Sequence, residues 1–557
     1  MAQKPIDAPR IPPEVQRRIL GFVNAARRPK DLLHPELPRL REDAGRKLID
    51  ARDAAGPFGF TTVKQILDLD FLRDILDDLL KLFGPLFWGQ WSILYDTQLP
   101  DGAPISAAHA ALLHNGKVMF FQEATTFTTV LWDPSDETNP LFSFPANQPQ
   151  DALFCSGHSF LSDGQLFCAG GGGGGPANVN RAWRFNPTTN TWTRTAGDMA
   201  FARWYPTVVT MGDERRALVV GGSPNIGKLE LYDEFTDTFS TVSVPVERTF
   251  PQLYPGLHLL PSGEIFYTRT GFGFAGAGPG GGDAAPGTPF LKFSTTTNAE
   301  WVEIAAAMEH ADRVRGMSVI LLERCHHDYM ARVMTIGGGS APGGETAEIV
   351  NLSTLTPSWD MPTLIPGGTD RRNVSAVLLP DGTVFVCGGT ATTNFPSALY
   401  DPHAETWSQM AEVNYRKQYH SVAVLLPSGK VMATGGANFG GGSRAIEVFS
   451  PPYLFRGPRP TISSATDFFH HGQTFQVESP QAADIQKIVL VRPLAVTHQT
   501  DTEQRVLDVD FRRSGTTLTA TAPNHRHPHG AAPRGYYMLF ILNASAVPSE
   551  GRFVFLH

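Results

Sequence analysis

Several features are scarce in this chain, and each scarcity argues against a class of protein. Only four cysteines occur among 557 residues and none forms a CxxC pair, so neither a disulfide framework nor a zinc ribbon is indicated. No run of about 18 apolar residues is present, so no membrane span is predicted. The formal net charge is −8 and no basic stripe is visible, which argues against a nucleic-acid partner.

The N-terminus also lacks a signal. Its first residues, MAQKPIDAPRIPPEVQ, contain no apolar core and no cleavage pattern, so no secretory signal peptide is predicted and the localisation is left unassigned. Glycine and proline, by contrast, are plentiful, at 54 and 44 residues. With 41% hydrophobic and 18% charged residues, this composition predicts a globular, turn-rich, mainly β protein of two or three domains.

Residues 1–100 differ from the rest of the chain. The stretch 63–87 carries apolar residues at helical spacing with aspartates between them, and 14–28 forms a second helical pattern after two prolines. We therefore predict a helical N-terminal region. A packing role is favoured for it, and contact with a protein partner stays open.

A repeat fills residues 101–451. Segments such as LSDGQLFCAGG, LPDGTVFVCGG and LPSGKVMATGG each contain a hairpin turn, a β-rich run and a glycine pair. The first glycine of each pair is Gly170, Gly221, Gly337, Gly388 and Gly435. Two degenerate units, at 115–122 and 260–269, bring the number to seven, which predicts a seven-bladed kelch-type β-propeller. Alternating strands in 452–557 predict an immunoglobulin-like β-sandwich.

The register of the repeat separates unusual residues from structural ones. Cys168 and Cys387 lie next to glycine pairs, where small buried side chains pack between blades, so both are predicted to be core thiols. Tyr205 and Tyr419 each precede their glycine pair by 16 residues, and Cys155 precedes its own by 15. These three residues are therefore expected at the same end of the propeller.

Four short segments occur in order on this repeat: FCSG (154–157), RWY (203–205), YHS (419–421) and THQTDTEQR (497–505). In that order they resemble the copper-site segments of the galactose oxidase and glyoxal oxidase family, the mononuclear copper radical oxidases built on a kelch-like propeller. The resemblance extends over residues 105–557, and the helical N-terminal region lies outside it.

The resemblance implies a role for each of five residues. Cys155 and Tyr205 would form a thioether-linked tyrosyl radical cofactor, with Tyr205 also a copper ligand. His420 and His498 would be the imidazole ligands of Cu(II), and Tyr419 would be the axial phenolate and the proton acceptor. His498 belongs to the sandwich, so a loop of that domain must reach the propeller. Such a nitrogen and oxygen donor set favours Cu(II).

The implied activity is oxidation of a small aldehyde or primary alcohol, with reduction of O2 to hydrogen peroxide. Two departures from galactose oxidase favour such a substrate over galactose. Ser223 occupies the position of its stacking tryptophan, and no N-terminal carbohydrate-binding sandwich is present; whether Trp204 stacks instead is open. The alternative is a catalytically silent kelch protein with a structural or partner-binding role, because the fold alone proves no catalysis.

Overall fold

The described part of the chain is almost entirely β-structure. The computed structural model describes residues 84–122, 128–172, 179–212, 215–247, 250, 253–272, 287–304, 308, 310, 313–326, 328–339, 343–367, 371–389, 397–436, 443–524 and 530–557. The mainly β prediction is confirmed, whereas the predicted N-terminal helices lie outside these residues up to position 83. The described helical segments are short: 84–88 and the 3-10 turns Gly343–Glu345, Pro452–Phe455 and Ala482–Asp484. None of them is long and apolar enough to cross a membrane.

Residues 90–450 contribute four antiparallel strands to each of seven successive sheets among the described residues. The strands of the first three sheets are Ala107–Leu112, Val118–Gln122, Thr129–Trp132 and Phe142–Ser143; Gly157–Phe160, Leu166–Ala169, Ala182–Asn186 and Thr191–Arg194; and Thr207–Thr210, Arg216–Val220, Leu229–Asp233 and Thr238–Thr241. Those of the fourth and fifth are Leu257–Leu259, Ile265–Tyr267, Phe290–Phe293 and Ala299–Val302; and Met317–Cys325, Asp328–Ile336, Thr346–Asn351 and Thr363–Leu364. Those of the sixth and seventh are Val374–Leu378, Val384–Gly388, Ser397–Asp401 and Thr406–Met410; and Ser421–Leu425, Val431–Gly435, Ala445–Ser450 and Gln90–Asp96.

The seventh sheet joins the two ends of this region. Its outer strand, Gln90–Asp96, precedes the first sheet in sequence and pairs antiparallel with Ala445–Ser450. Separate hydrophobic clusters lie between sheets one and two, two and three, three and four, and four and five. A larger cluster joins sheets five, six, seven and one. The sheets therefore pack in a ring, each buried against its neighbours.

Residues 464–556 form two further sheets. One contains Ser464–Ala465, Thr474–Glu478, Phe511–Ser514 and Thr517–Thr521, and the other contains Phe468–Phe469, Ile485–Val491, Val506–Val509, Gly535–Asn543 and Arg552–Leu556. Their inward-facing side chains share a cluster that includes Phe475, Leu518, Leu539 and Val554. This cluster gives the C-terminal region a hydrophobic core of its own.

A segment of the C-terminal region runs along the first strands of the ring. Its short strand Ala495–Thr497 pairs with Ala107–Leu112 of the first sheet. Beyond it, the Thr502 hydroxyl donates to the Val208 carbonyl of the third sheet at 2.7 Å. The Gln504 amide donates to the Ala376 carbonyl of the sixth sheet at 3.1 Å. Residues 495–504 are therefore fixed to several sheets at once, with His498 in their middle.

Candidate active site

The structure brings together the side chains that the sequence singles out. The Tyr205 hydroxyl lies 2.6 Å from the Tyr419 hydroxyl, and His498 Nε2 lies 3.1 Å from the Tyr205 hydroxyl. The His420 ring lies 4.4 Å from the His498 ring, between centroids, and stacks on Tyr419. Cys155 is fully buried and packs in the same cluster as Tyr205. Two phenols, two imidazoles and one thiol therefore share one small region.

An unusual backbone conformation places four of these residues. Cys155, Tyr205, His420 and His498 have φ values of 64°, 63°, 65° and 47°, in the left-handed region that non-glycine residues rarely adopt. In a regular strand, neighbours such as Tyr419 and His420 would point to opposite faces. The left-handed residue just before strand Ser421–Leu425 breaks that alternation, and both side chains face the site. Strain of this kind is typical of functional sites.

The repeated glycine pairs leave room for these segments. At Gly171, where φ is 110°, a Cβ would lie 2.8 Å from the Ala152 carbonyl oxygen and 3.0 Å from that of Phe154. At Gly222, where φ is 85°, it would lie 3.1 Å from the Trp204 carbonyl oxygen. In these two pairs the second position must therefore be glycine, because a side chain there would collide with the backbone next to Cys155 or Tyr205.

Trp204 provides the stacking contact that the sequence left open. Its indole ring lies 4.2 Å from the Tyr205 ring, between centroids, with 16° between the planes. Trp204 pairs with Ser223 in a short antiparallel ribbon of Arg203–Trp204 with Ser223–Pro224. The residue next to the tyrosine therefore stacks on it.

Two aromatic residues of the site escape sequence reasoning. Tyr254 is buried and stacks on Tyr205 at 4.7 Å and on His498 at 4.9 Å between ring centroids. Phe272 stacks on Tyr419 at 4.8 Å. Tyr254 precedes the fourth sheet, and Phe272 follows its second strand. The repeat of this sheet is degenerate and lacks a glycine pair, so the register that indicates Tyr205 is absent there. A complete repeat would have marked Tyr254, since it also precedes its sheet with a left-handed φ of 51°.

Buried ion pairs anchor the segments that carry the two tyrosines. Arg203, two residues before Tyr205, pairs with Glu230 at 2.8 Å, and both side chains are fully buried. Lys417, two residues before Tyr419, pairs with Glu447 at 2.7 Å in the same buried way. Removing one partner of such a pair would leave the other charge buried and unpaired, which would destabilise the protein. Each pair therefore fixes the segment that contains it.

Hydrogen bonds orient the candidate donor atoms. The Thr497 hydroxyl donates to the Ala108 carbonyl at 3.0 Å and lies 2.6 Å from His498 Nδ1. In the tautomer whose Nδ1 carries the proton and donates it to Thr497, His498 Nε2 accepts from the Tyr205 hydroxyl. Burial lowers the pKa of His498 well below 6.5, so its imidazole is neutral.

These donors fit a copper ion. Two atoms that bind one metal at about 2.0 Å lie roughly 3 Å apart, close to the separations observed here. Burial raises the pKa of Tyr205, and the neighbouring Cys155 and Tyr419 raise it further, so a phenolate there needs a cation beside it. No group of three or more His, Cys, Asp or Glu residues suits a metal in the described ranges, so this candidate site depends on its tyrosines.

Two of the other three cysteines are buried in the cores of the sheets. Cys168 is buried in the core between the first and second sheets, and Cys387 is buried in the core that includes the sixth. Both are core thiols, as the repeat predicts. Burial raises the pKa of each well above that of a free thiol, which suppresses thiolate chemistry there.

Comparison with known proteins finds two matching family models and several similar sequences. Residues 459–556 match the family model "Galactose oxidase-like, Early set domain", and residues 159–197 match "Kelch motif". The chain is 24% identical over 453 residues to the galactose oxidase of Gibberella zeae, covering 76% of this chain and 63% of that protein. It is 27% identical over 462 residues to the aldehyde oxidase GLOX of Vitis pseudoreticulata, covering 72% and 81%. The chain thus spans less than two thirds of that galactose oxidase.

A solved structure shares the fold. It is described as a novel fungal alcohol oxidase with catalytic diversity among the AA5 family, in complex with copper. The TM-score is 0.67 at 21% identity, covering 84% of this chain and 99% of that one. Together, the kelch and galactose oxidase-like matches and the two related sequences confirm the resemblance to the galactose oxidase and glyoxal oxidase family.

Proposed function

We propose that this protein is a copper radical oxidase that converts a small aldehyde or primary alcohol with O2, forming hydrogen peroxide. The observation that carries the proposal is the convergence of the Tyr205 and Tyr419 hydroxyls and His498 Nε2, with Cys155 packed in the same cluster. On this proposal the seven sheets are the blades of one propeller. The segment 495–504 delivers His498 to its end.

Each residue has a role that follows from its place. Tyr205, Tyr419, His420 and His498 would hold copper, which supplies one of the two redox equivalents needed for a two-electron oxidation. Tyr205, joined to Cys155 by a thioether, would supply the second. The sulfur substituent makes the ring easier to oxidise and spreads the unpaired electron.

Proton and hydrogen transfer are assigned to different tyrosines. Tyr419 is half-buried and Tyr205 is nearly inaccessible, so a substrate hydroxyl meets Tyr419 first. Tyr419 would accept the hydroxyl proton of an alcohol, or of an aldehyde in its hydrated form, and the oxidised Tyr205 would take a hydrogen atom from the carbon that bears this hydroxyl group. Two protons and two electrons leave the substrate in total, and O2 accepts them to form hydrogen peroxide.

The surroundings suit a small substrate. The half-buried side chains packed against this cluster are Phe154, Trp204, Ile226 and Tyr419. Largely apolar side chains of this kind suit a small substrate with few polar groups better than a sugar. We therefore favour small aldehydes and simple alcohols over galactose.

The test is oxygen uptake and peroxide release by copper-loaded protein with a panel of small aldehydes, primary alcohols and galactose. A Tyr205→Phe variant is the control, because it keeps the ring and loses the oxygen. We expect turnover with a small aldehyde or alcohol and none in the variant. No turnover with any substrate, and no copper retained after dialysis, would favour the silent kelch scaffold.

A further inference from the structure

A buried pair of histidines lies behind Cys155. The backbone N–H of Cys155 donates to His109 Nε2 at 3.0 Å, and His109 Nδ1 lies 3.1 Å from His158 Nε2. His109 is fully buried on strand Ala107–Leu112, and His158 is 5% exposed on Gly157–Phe160. Neither histidine is among the proposed copper ligands.

The hydrogen bonds fix the tautomers of the pair. His109 Nε2 accepts from Cys155, so it carries no proton, and in the neutral ring Nδ1 carries it instead. His109 Nδ1 therefore donates to His158 Nε2. Burial lowers the pKa of His109 well below 6.5 and that of His158 to about 3, so both rings are neutral.

The same line of hydrogen bonds continues into the site. The Cys155 carbonyl accepts from the Tyr205 N–H at 3.0 Å, and the Tyr205 carbonyl accepts from the Tyr254 N–H at 2.9 Å. All three residues are in the left-handed region, which disfavours side chains. Such a conformation persists only when surrounding contacts stabilise it. His109 supplies one of these contacts, because it accepts the hydrogen bond of the Cys155 N–H.

We infer that His109 is a positioning residue that holds Cys155 against Tyr205 for thioether formation. This inference rests on the proposed function, because it concerns the cross-link that the function requires. In that reaction a bond forms between the Cys155 sulfur and a Tyr205 ring carbon. The S–H and ring C–H bonds break, and two protons and two electrons pass to O2, giving hydrogen peroxide.

A third buried histidine, His258, has a purely structural partner. His258 is 2% exposed on strand Leu257–Leu259, and its Nε2 lies 2.8 Å from the Ser318 hydroxyl. Like His109, it sits on the first strand of its sheet and bonds a polar group. Its partner, however, belongs to the fifth sheet and not to the cysteine segment. His258→Phe is therefore a matched control for loss of a buried imidazole.

The experiment follows cross-linking directly. Copper-free, anaerobically purified protein is loaded with copper and exposed to air, and the loss of two hydrogens from the Cys155–Tyr205 peptide pair is timed by mass spectrometry. We expect His109→Phe, which leaves the buried Cys155 N–H without an acceptor, to slow the reaction about tenfold or more. In His109→Gln the amide oxygen can accept that N–H, so we expect substantial recovery of the rate. His258→Phe should react at the wild-type rate.

Two further measurements keep the outcome decisive. His158→Leu removes the acceptor that fixes the His109 tautomer and should also slow cross-linking, even if His109→Phe does not fold. Copper affinity should stay close to that of wild type in all variants, since the hydrogen bonds of His109, His158 and His258 go to groups other than the proposed ligands. Wild-type rates in both His109→Phe and His158→Leu would overturn the inference. Absence of the cross-link in wild-type protein would instead overturn the proposed function, and the inference with it.

Discussion

The indole of Trp204 stacks on the phenol ring of Tyr205, with 4.2 Å between ring centroids and 16° between the planes. The two residues are adjacent in sequence, and the left-handed φ of 63° at Tyr205 turns its side chain beneath that of its neighbour. Stacked aromatic rings attract each other by about 0.5–1.5 kcal/mol beyond their buried area. Trp204 also covers Tyr205, which is only 1% exposed.

Replacing this indole should shorten the life of an oxidised Tyr205. We expect Trp204→Leu to increase the decay rate of the Tyr205 radical severalfold, because the ring loses its aromatic cover and becomes open to water. The measurement is the decay of the radical's absorption after chemical oxidation of the copper-loaded protein. Trp301→Leu is the control, since Trp301 is also half-buried but packs against Phe250, away from the site. Equal decay rates in the two variants would refute a role for the stacking.

The ion pair before Tyr205 should matter for both stability and chemistry. Glu230→Gln leaves the buried Arg203 without its carboxylate, and we expect it to lower the free energy of unfolding by about 3–5 kcal/mol. Glu348→Gln, in the fifth sheet, leaves the buried Arg313 without its carboxylate and should cost a similar amount. Only Glu230→Gln should slow the Cys155–Tyr205 cross-link. Urea unfolding and mass spectrometry measure the two effects; similar cross-linking rates in both variants would contradict the expected anchoring of Tyr205.

Glu503 should secure the segment that carries His498. Its carboxylate pairs with Arg492 and accepts from the hydroxyls of Ser159 and Thr210, and all four side chains are buried. We expect Glu503→Gln to destabilise the protein by about 3–5 kcal/mol and to weaken copper binding. Calorimetric titration and urea unfolding test this.

A surface carboxylate provides the comparison. Glu550 pairs with Arg459 at 2.6 Å, but its side chain is 69% exposed. Glu550→Gln should change stability by about 1 kcal/mol or less and leave copper binding intact. Copper affinity unchanged in Glu503→Gln would show that His498 is held by other contacts.

The buried His258 should make stability depend on pH. Burial lowers its pKa to about 3, against about 6.5 when unfolded, so the unfolded chain binds its proton first as the pH falls. The neutral ring contributes fully to the free energy of unfolding above pH 6.5. Below pH 6.5 this contribution falls by about 1.4 kcal/mol per pH unit. Wild type should therefore lose about 2 kcal/mol relative to His258→Gln between pH 6.5 and 5, measured by urea unfolding. A pH-independent difference would contradict this.

Parts of this molecule can be predicted from sequence because they repeat. Hairpin turns and glycine pairs recur at fixed spacing, and the structure confirms a mainly β fold over the described residues. The same spacing indicates the common location of Cys155 and Tyr205, since both precede their sheets in the same left-handed conformation. The roles of these residues stay predictions.

Other parts have no sequence signal. Strand Gln90–Asp96 is the fourth strand of the seventh sheet, although it precedes the predicted repeat, which begins at residue 101. Only its pairing with Ala445–Ser450 identifies it. Tyr254 lies beside a degenerate repeat, so its stacking on Tyr205 depends on tertiary packing. His109 shows the same limit, because a hydrogen bond across 46 residues to Cys155 leaves no local pattern.

The measurement that tests the central proposal most directly is the intact mass of the copper-loaded, aerobically incubated protein, with peptide mapping around Cys155 and Tyr205. The proposal predicts a loss of two hydrogens, located to a covalently joined Cys155–Tyr205 peptide pair and absent in Cys155→Ser. An unmodified pair in protein that holds copper would contradict the radical oxidase and favour a silent kelch scaffold.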